Sequence, residues 1–254
     1  MTTQNTTAAT MYAPIGHPGV PVPAALRPWK AAWPQYQPVD ITPPELRPEG
    51  LARPAGWIFD TVATPQEVTD WTSRQERAVV PFEVSQGVPL NPSGRTGRTG
   101  RNLAKWGESQ AADPIVVAGP DHDLRVLLIQ RDDVFQWAIP GGMVDPGETA
   151  PTSLVRELRE ETGVDLTYVR PEVLTRTYVT DWRNTDHAWI TTTAALYRIP
   201  DVIPAVAADD AADAAWWPLS TVEDLAWRLV KHGGLYEAHR PLLEAAAARM
   251  GGRL

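Results

Sequence analysis

Three glutamates, Glu157, Glu160 and Glu161, are the side chains of this chain whose type and spacing are best suited to chemistry. On an α-helix, residues at i, i+3 and i+4 lie on one face, so the three carboxylates would share that face. Neighbouring negative charges repel one another and destabilise a helix at neutral pH. A cation is needed to compensate them, and hard oxygen ligands suit Mg²⁺ or Mn²⁺. Taken alone, the pattern is also typical of an ordinary solvent-facing charged helix.

The segment that carries these glutamates is predicted to form a helix over residues 149–162. Its first residue is a threonine that can serve as the N-cap, and Pro151 is tolerated in the first turn. Gly163 is a typical stop at the C-terminal end. Leu154 and Leu158 repeat at i and i+4 on the other side of the helix. We therefore expect these leucines to anchor the helix to a sheet.

Two glycine-containing turns, Gly141-Gly142 and Pro146-Gly147, precede this helix. Glycine permits the tight backbone that a loop needs when it folds over a helix start. The unpaired backbone amides at such a start favour a phosphate group. Within the helix, Arg156 and Glu160 are four residues apart and can pair, which would orient the carboxylate.

The complete pattern resembles that of a known family. Gly142, Glu148 and residues 156–164 fill every fixed position of G-x5-E-x7-R-E-U-x-E-E-x-G-U, in which U is an aliphatic residue. This is the Nudix box, and the chain resembles a Nudix hydrolase. So many specified positions at fixed spacing make a chance match rare. The resemblance implies metal-assisted cleavage of a diphosphate linked to another moiety, and it implies the α/β/α sandwich of the Nudix fold.

The resemblance also implies roles for single residues. Glu157 and Glu161 are the best candidates for metal ligands, and Glu160 is a further ligand or an orienting group. Glu148 would support the loop or a second ion, and the Gly141 carbonyl could complete a site. Mg²⁺ is the expected cofactor, with Mn²⁺ as the alternative. The predicted catalytic residues are the three helix glutamates, and Gly142 is expected beside the substrate.

Further segments resemble one branch of the family, the mitochondrial-type ADP-ribose pyrophosphatase. The same branch resembles the homologous domain of the ADP-ribose-gated melastatin-type channel. The matching segments are residues 91–97, 100–101, 106–107, 111–115, 137–148, 181–189, 209–211, 235–236 and 239. This resemblance implies that the substrate is ADP-ribose, which would be cleaved to AMP and ribose 5-phosphate.

Asp181 and Arg183 match positions that contact ADP-ribose in that branch. Their chemistry fits, because a carboxylate can accept hydrogen bonds from ribose hydroxyls and an arginine can form a fork onto phosphate or stack on adenine. Without the resemblance, residues 181–184 would also suit a polar turn between two strands. Asp209 and Asp210 lie where related hydrolases can carry the carboxylate that acts on water, but a solvated acidic turn fits them equally well.

Two other functions remain open at this stage. One is a Nudix hydrolase that acts on a different nucleoside diphosphate derivative, such as NADH or a diadenosine polyphosphate. The other is a non-catalytic ADP-ribose sensor. The intact Glu157, Glu160 and Glu161 argue against the sensor, because the channel's domain in its best-known vertebrate form lacks the full set.

The distribution of proline divides the chain. Sixteen of its 25 prolines lie at or before Pro114, and proline recurs there too often for long helices. We expect an irregular, proline-rich N-terminal cap domain over residues 1–112, with the first ten or so residues disordered, and a Nudix hydrolase domain over residues 113–254. Short strands are expected at residues 57–59 and 78–80. Four tryptophans of this region carry apolar surface that should be buried: Trp29, Trp33, Trp57 and Trp71.

The second part of the chain alternates strand and helix signals. Strands enclosing one central helix, with helices at the end, predict an α/β/α sandwich. The predicted strands are residues 115–118, 126–129, 137–139, 173–180, 189–198 and 215–217. The predicted helices after the box are residues 222–231 and 235–250.

Bulk composition excludes several classes of protein. A net charge of −8 argues against a general nucleic-acid binder, which needs many cations to neutralise phosphates. The absence of cysteine excludes disulfides and thiolate metal sites. We find no apolar run long enough for a membrane span and no secretory signal. We therefore expect a cytoplasmic enzyme that acts on a small molecule, with no nucleic-acid or membrane partner. The sequence does not predict the oligomeric state.

Overall fold

The computed structural model describes residues 18–209 and 211–250 and divides into two compact units. Unit 1 comprises Met1–Ser109 and Thr177–Thr191, and unit 2 comprises Gln110–Arg176 and Thr192–Leu254. The sequence-based boundary between residues 112 and 113 stays a prediction. The expected disorder of the first ten residues lies outside the described residues.

Between residues 18 and 106, unit 1 contains only short elements, as its many prolines require. The elements are β1 (Val39–Asp40), α1 (Pro48–Leu51), α2 (Trp71–Glu76), β2 (Glu83–Ser85), β3 (Val88–Leu90) and β4 (Arg98–Thr99), with 3₁₀ turns at Ala24–Leu26, Pro44–Leu46 and Pro65–Glu67. Strand β1 pairs with β4 in parallel, and β2 with β3 antiparallel.

The predictions of strands at residues 57–59 and 78–80 are wrong, because neither segment forms a strand. The amides of Val79 and Val80 donate to the carboxylate of Glu108 at 2.8 and 3.1 Å, so a side chain takes the place of a partner strand. The Phe59 amide donates to the Ala104 carbonyl at 2.9 Å without a ladder around it. A run of three apolar residues does not show which groups will form hydrogen bonds with its backbone amides and carbonyls.

An aromatic core holds unit 1 together. Trp71, Phe82 and Trp189 form an edge-to-face chain with ring centroids 6.3 and 5.1 Å apart, and Trp106 packs in the same cluster. The expectation that four tryptophans would be buried is confirmed for Trp71. It is wrong for Trp57, which is 47% exposed. Trp29 and Trp33 are half-buried.

A seven-stranded sheet forms the frame of the second part of the chain. The strands are β5 (Gly107–Ala118), β6 (Arg125–Arg131), β7 (Trp137–Ala138), β8 (Gly142–Met143), β9 (Glu172–Tyr178), β10 (Ala188–Ile199) and β11 (Ala211–Pro218). The strand order is β11-β6-β5-β10-β9, with β7 paired to β6 and β8 paired to β5. The unit boundary falls within β5, β9 and β10. Each predicted strand of this part has a counterpart in the sheet.

Three helices complete unit 2: α3 (Ala150–Thr162), α4 (Val222–Leu229) and α5 (Arg240–Arg249). Helix α3 is the predicted central helix and ends at Gly163, whose φ of 69° gives the expected left-handed stop. The side chain of Thr149 does not cap the helix amides and lies 3.0 Å from the Thr152 hydroxyl instead. The predicted helix at residues 235–250 begins only at Arg240.

Alternation along the strands separates two apolar layers. On one face of the sheet, Ile115 and Val117 share a buried cluster with Leu225 of α4 and Leu242 of α5. On the other face, Val116 and Leu127 pack with Leu158 of α3. Successive strand residues point to opposite faces, so helices cover both faces. The predicted α/β/α sandwich is confirmed. Across residues 18–209 and 211–250, every helix falls short of the length and apolarity needed to cross a bilayer.

Candidate active site

The three box glutamates on α3 differ in how deeply they lie. Glu157 is 8% exposed and Glu161 is 4% exposed, whereas 43% of the Glu160 side chain is exposed. A carboxylate is costly to bury unless it is paired, hydrogen-bonded or coordinated to a metal. Glu157 and Glu161 are therefore the two acidic groups of this helix whose burial calls for an explanation.

The segment that follows β7 lies against these two carboxylates. The Gly141 amide donates to Glu161 Oε2 at 2.7 Å. A Cβ atom on Gly142 would lie 2.6 Å from both oxygens of Glu157, closer than any side chain could approach. Gly141 itself has a φ of 151°, and a Cβ there would lie 2.5 Å from the Ala112 carbonyl. Gly141 and Gly142 thus permit a close approach of the backbone that no other residue type allows.

Arg156 bridges three acidic groups of the box. Its Nη1 lies 2.9 Å from an oxygen of Glu157 and 2.9 Å from an oxygen of Glu160. Its Nη2 lies 2.9 Å from Glu148 Oε2 and donates to the Met143 carbonyl at 3.0 Å. The predicted pairing of Arg156 with Glu160 is confirmed. One guanidinium therefore fixes three carboxylates and the loop that precedes the helix.

Burial and pairing move the pKa values of these groups in opposite directions. Burial raises the pKa of Glu157 to about 7, although the neighbouring Arg156 opposes the shift. Hydrogen bonds from Arg156 and from Ser153 lower the pKa of Glu148 to about 2. Glu148 is therefore an ionised anchor whose oxygens are already engaged. The charge of the Glu157 carboxylate is poorly solvated. A bound cation would stabilise this charge.

These residues fit a divalent cation by the chemistry of their donors. Among residues 18–209 and 211–250, no three His, Cys, Asp or Glu side chains gather closely enough to hold a metal by themselves. Mg²⁺ does not need such a cage, because it keeps several waters and binds through one or two carboxylates together with substrate phosphates. Glu157 and Glu161 supply two buried carboxylates beside Gly141 and Gly142.

Asp181 and Arg183 lie in unit 1 and form a tight pair. Arg183 donates from Nε and Nη2 to the two carboxylate oxygens at 2.9 and 3.0 Å, and its amide donates to Oδ1 at 2.8 Å. Asn184 holds the turn by donating to the Val179 carbonyl at 2.7 Å. Asp181 is 2% exposed, so its orientation is fixed. The polar turn predicted at residues 181–184 is therefore present, and it contains the Asp181–Arg183 pair that is predicted to bind ADP-ribose.

The loop that precedes β11 is attached to the end of α3. The amides of Val206 and Ala208 donate to the carbonyls of Thr162 and Glu161 at 2.9 and 3.1 Å. Asp209 follows in this loop, is exposed and has a φ of 56°. Asp210 lies outside the described residues. Sequence patterns could not indicate this attachment, because backbone atoms make the hydrogen bonds that join the loop to the helix.

Three further residues support the site without having been predicted. The Ser153 hydroxyl donates to Glu148 at 2.6 Å, and Thr192 donates to Asp113 at 2.5 Å. His239 accepts the Ile139 amide on Nδ1 at 3.1 Å, immediately before Pro140. Serine and threonine inside a helix or a buried strand carry no pattern that would indicate such a contact.

Comparison with known families identifies the class of protein that this fold and site define. The family described as NUDIX domain matches residues 109–249, more than half of the chain, and that described as NUDT9-like, N-terminal domain matches residues 22–107. The chain belongs to the Nudix hydrolase family and carries an N-terminal domain of the NUDT9-like type.

Three relatives indicate which members of the family this chain resembles. The chain is 32% identical over 235 residues to the mitochondrial ADP-ribose pyrophosphatase of Rattus norvegicus, which covers 76% of this chain. It is 38% identical over 184 residues to putative nudix hydrolase 6 of Caenorhabditis elegans, covering 67%. It is 32% identical over 260 residues to a transient receptor potential cation channel subfamily M member-like 2 of Nematostella vectensis, covering 86%. The chain spans 65%, 70% and 16% of the length of these three relatives, respectively.

Proposed function

We propose that this protein hydrolyses ADP-ribose to AMP and ribose 5-phosphate with a divalent cation, Mg²⁺ or alternatively Mn²⁺. The observation that carries the proposal is the complete set of box carboxylates in a chain similar to an ADP-ribose pyrophosphatase. The expectations of a cytoplasmic protein and of a domain boundary at residues 112 and 113 belong to the same proposal.

The chain's own residues have separate tasks in this reaction. Glu157 and Glu161 would hold the cation, because their buried carboxylates lie against the Gly141-Gly142 backbone. Glu160 would orient that set through Arg156, which it contacts at 2.9 Å. Glu148 would keep the loop closed over the helix start, because Arg156 and Ser153 occupy its oxygens.

A bound divalent cation would neutralise diphosphate oxygens and lower the pKa of the attacking water. Little covalent chemistry is then left for the protein beyond positioning and charge. The positive end of α3 and the glycine backbone before it suit an anionic group. Asp209 and Asp210 remain the candidates for the group that accepts the proton of the water.

Selectivity for ADP-ribose is proposed to depend on the Asp181–Arg183 pair. The pair is rigid, because three hydrogen bonds of 2.8–3.0 Å join its two members. A carboxylate held in a fixed orientation can accept hydrogen bonds from adjacent ribose hydroxyls, and a planar guanidinium suits phosphate or adenine. Other nucleoside diphosphate derivatives are the alternative substrates within the same reaction class.

A non-catalytic ADP-ribose sensor is the second candidate function. The observation that favours it is the similarity to channel subunits, one of which matches over 86% of this chain. In that case ADP-ribose would bind without being cleaved. The intact glutamates at positions 157, 160 and 161 support turnover instead.

Product analysis separates these candidates. The purified chain would be incubated with ADP-ribose, NADH, ADP-glucose, diadenosine polyphosphates and nucleoside triphosphates, with Mg²⁺, with Mn²⁺ and with chelator. We expect AMP and ribose 5-phosphate from ADP-ribose only when a divalent cation is present. An equal or greater kcat/KM for another substrate would contradict the proposed selectivity. Binding of ADP-ribose without release of AMP would favour the sensor.

A further inference from the structure

Unit 1 contains a cavity of about 490 Å³ that the proposed reaction does not use. It lies between the segment after the first 3₁₀ turn, Ala24–Leu26, and the β2–β3 hairpin with the turn that follows it. Cavities of 300 to 1,000 Å³ are the usual size for small-molecule sites. The lining residues on which the argument rests are Arg27, Trp29, Lys30, Phe82, Leu90 and Ser93.

The lining has an excess of positive charge in an otherwise acidic protein. Arg27 and Lys30 both line the cavity, and Glu83 is the one acidic residue among the lining residues. Within the part of the chain that the structure describes, the side chains of Arg27 and Lys30 make no hydrogen bond or ion pair. Because Arg27 and Lys30 outnumber the one acidic lining residue, the lining favours an anion from solution.

Arg95 makes the wall that carries these cations rigid. Its Nη1 donates to the carbonyls of Leu26 and Pro28 at 2.7 and 2.9 Å. Its Nη2 donates to the carbonyls of Trp29 and Ala31 at 3.3 and 3.0 Å. A single guanidinium thus fixes four carbonyls of a segment that has no regular hydrogen-bond ladder. A pre-formed wall lowers the entropy that a ligand must overcome on binding.

Most of the remaining lining residues are apolar. Trp29 is fixed by donating from Nε1 to the Asn91 carbonyl at 2.9 Å. Its ring has the Arg95 guanidinium 5.2 Å from its centroid and the His187 ring stacked at 6.2 Å. Trp29 is therefore held in place by its neighbours and adds apolar surface to the lining. Prolines and Leu90 add apolar surface without donors.

From these contacts we propose that the cavity binds a small amphiphilic anion, namely an apolar body that carries one carboxylate, sulfonate or phosphate group. Arg27 and Lys30 would contact the anionic group. Trp29, Phe82 and Leu90 would contact the apolar body. The site lies within unit 1, and its occupation does not depend on the proposed hydrolysis.

A matched pair of fluorescent probes tests both halves of the proposal. The probe 1-anilinonaphthalene-8-sulfonate has the apolar body and the anion, and N-phenyl-1-naphthylamine has the same body without the anion. In the whole 254-residue chain, the double variant Arg27→Gln/Lys30→Gln should bind the sulfonate about tenfold more weakly, which corresponds to about 1.4 kcal/mol. Its affinity for the neutral probe should stay within about twofold. The control is Arg53→Gln, an exposed cation outside the cavity.

A second pair of variants locates the bound probe. Ala24 lines the cavity, whereas the exposed Ala25 beside it does not. Ala24→Trp should fill the cavity and abolish high-affinity binding of the sulfonate, and Ala25→Trp should leave it unchanged. Equal binding by these two variants would overturn the proposal. It would also be overturned if the sulfonate bound the Arg27/Lys30 variant as tightly as it binds the wild type. Equal affinity of the wild type for both probes would likewise exclude an anion-selective site.

Discussion

At the scale of single residues, Glu161 combines two properties that identify it as the carboxylate to test. It is 4% exposed and accepts the Gly141 amide at 2.7 Å, so it belongs to both the helix and the loop. We expect Glu161→Gln to fold normally and to lose about a hundredfold or more in turnover of ADP-ribose, the scale of lost electrostatic stabilisation. Steady-state kinetics with Mg²⁺, together with circular dichroism, would measure both effects.

The matched control is Glu244→Gln on α5, where the side chain is exposed. It removes the same charge far from the box in sequence and should leave kcat unchanged. If Glu161→Gln hydrolyses ADP-ribose at a rate near that of the wild type, the assignment of Glu161 as a metal ligand is wrong.

Gly142 provides a second test at this scale. A methyl group at this position would lie 2.6 Å from both oxygens of Glu157, so Gly142→Ala must displace that carboxylate. We expect kcat to fall about tenfold or more, because a shift of about 1 Å in a catalytic group can cost up to a hundredfold. The affinity for Mn²⁺, measured by electron paramagnetic resonance, should fall as well.

Gly56→Ala is the control for this change, since a Cβ at Gly56 would meet nothing within 4 Å. This variant should keep both activity and Mn²⁺ affinity. Unchanged Mn²⁺ affinity in Gly142→Ala would show that the position of Glu157 does not matter to the cation.

At the scale of elements, the position of α3 could be predicted because its two faces carry different chemistry. Leu154 and Leu158 are fully buried, as their spacing indicated. The start of α5 could not be predicted in the same way. Gly233 and Gly234 both have positive φ values, and the 3₁₀ turn Glu237–His239 follows them, so the apparent helix of residues 235–250 begins late. Alanine and leucine periodicity does not reveal where a preceding turn ends.

The junction between α3 and the loop before it depends on Arg156. Lysine can keep the charge at this position but cannot donate to Glu148, Glu160 and the Met143 carbonyl with a planar fork. We expect Arg156→Lys to lower the free energy of unfolding by about 1–3 kcal/mol, the scale of hydrogen bonds to charged groups. Urea denaturation would measure this change.

Arg159→Lys serves as the comparison, because Arg159 is an exposed arginine on the same helix. It should change the free energy of unfolding by no more than about 0.5 kcal/mol, as is usual for surface substitutions. An equal effect of both variants would mean that the Arg156 network does not stabilise the junction.

At the scale of the whole molecule, the assignment of residues to units could not be predicted from the sequence. Composition changes once, near Pro114, and suggested a single boundary. The structure groups Thr177–Thr191 with Met1–Ser109 in one compact unit. One reason is Trp189, which is fully buried beside Phe82 and Trp71. A contact between residues so distant in sequence leaves no local pattern, whereas the Nudix box could be recognised because it is continuous.

The aromatic core of unit 1 makes the N-terminal region a packed part of the protein. Deleting residues 1–87 would remove Val68, Trp71 and Phe82, and it would expose Trp106 and Trp189, which are 5% and 0% exposed. Each large apolar side chain contributes about 1.5–3 kcal/mol when it is buried. We therefore expect the truncated protein to have a lower Tm or a lower soluble yield, and to bind ADP-ribose more weakly.

A point variant tests the same idea without removing the chain. Phe82→Ala should lower the free energy of unfolding by about 3–5 kcal/mol, the usual cost of deleting a buried aromatic ring. Phe135→Ala removes a ring that is 62% exposed and should have little effect.

The opposing view is that the N-terminal region is a flexible accessory arm on a self-sufficient Nudix core. That view predicts an unchanged Tm for the truncated protein, an unchanged KM for ADP-ribose, and equal stability of the two phenylalanine variants. Differential scanning calorimetry and steady-state kinetics on the three proteins would decide between the two views.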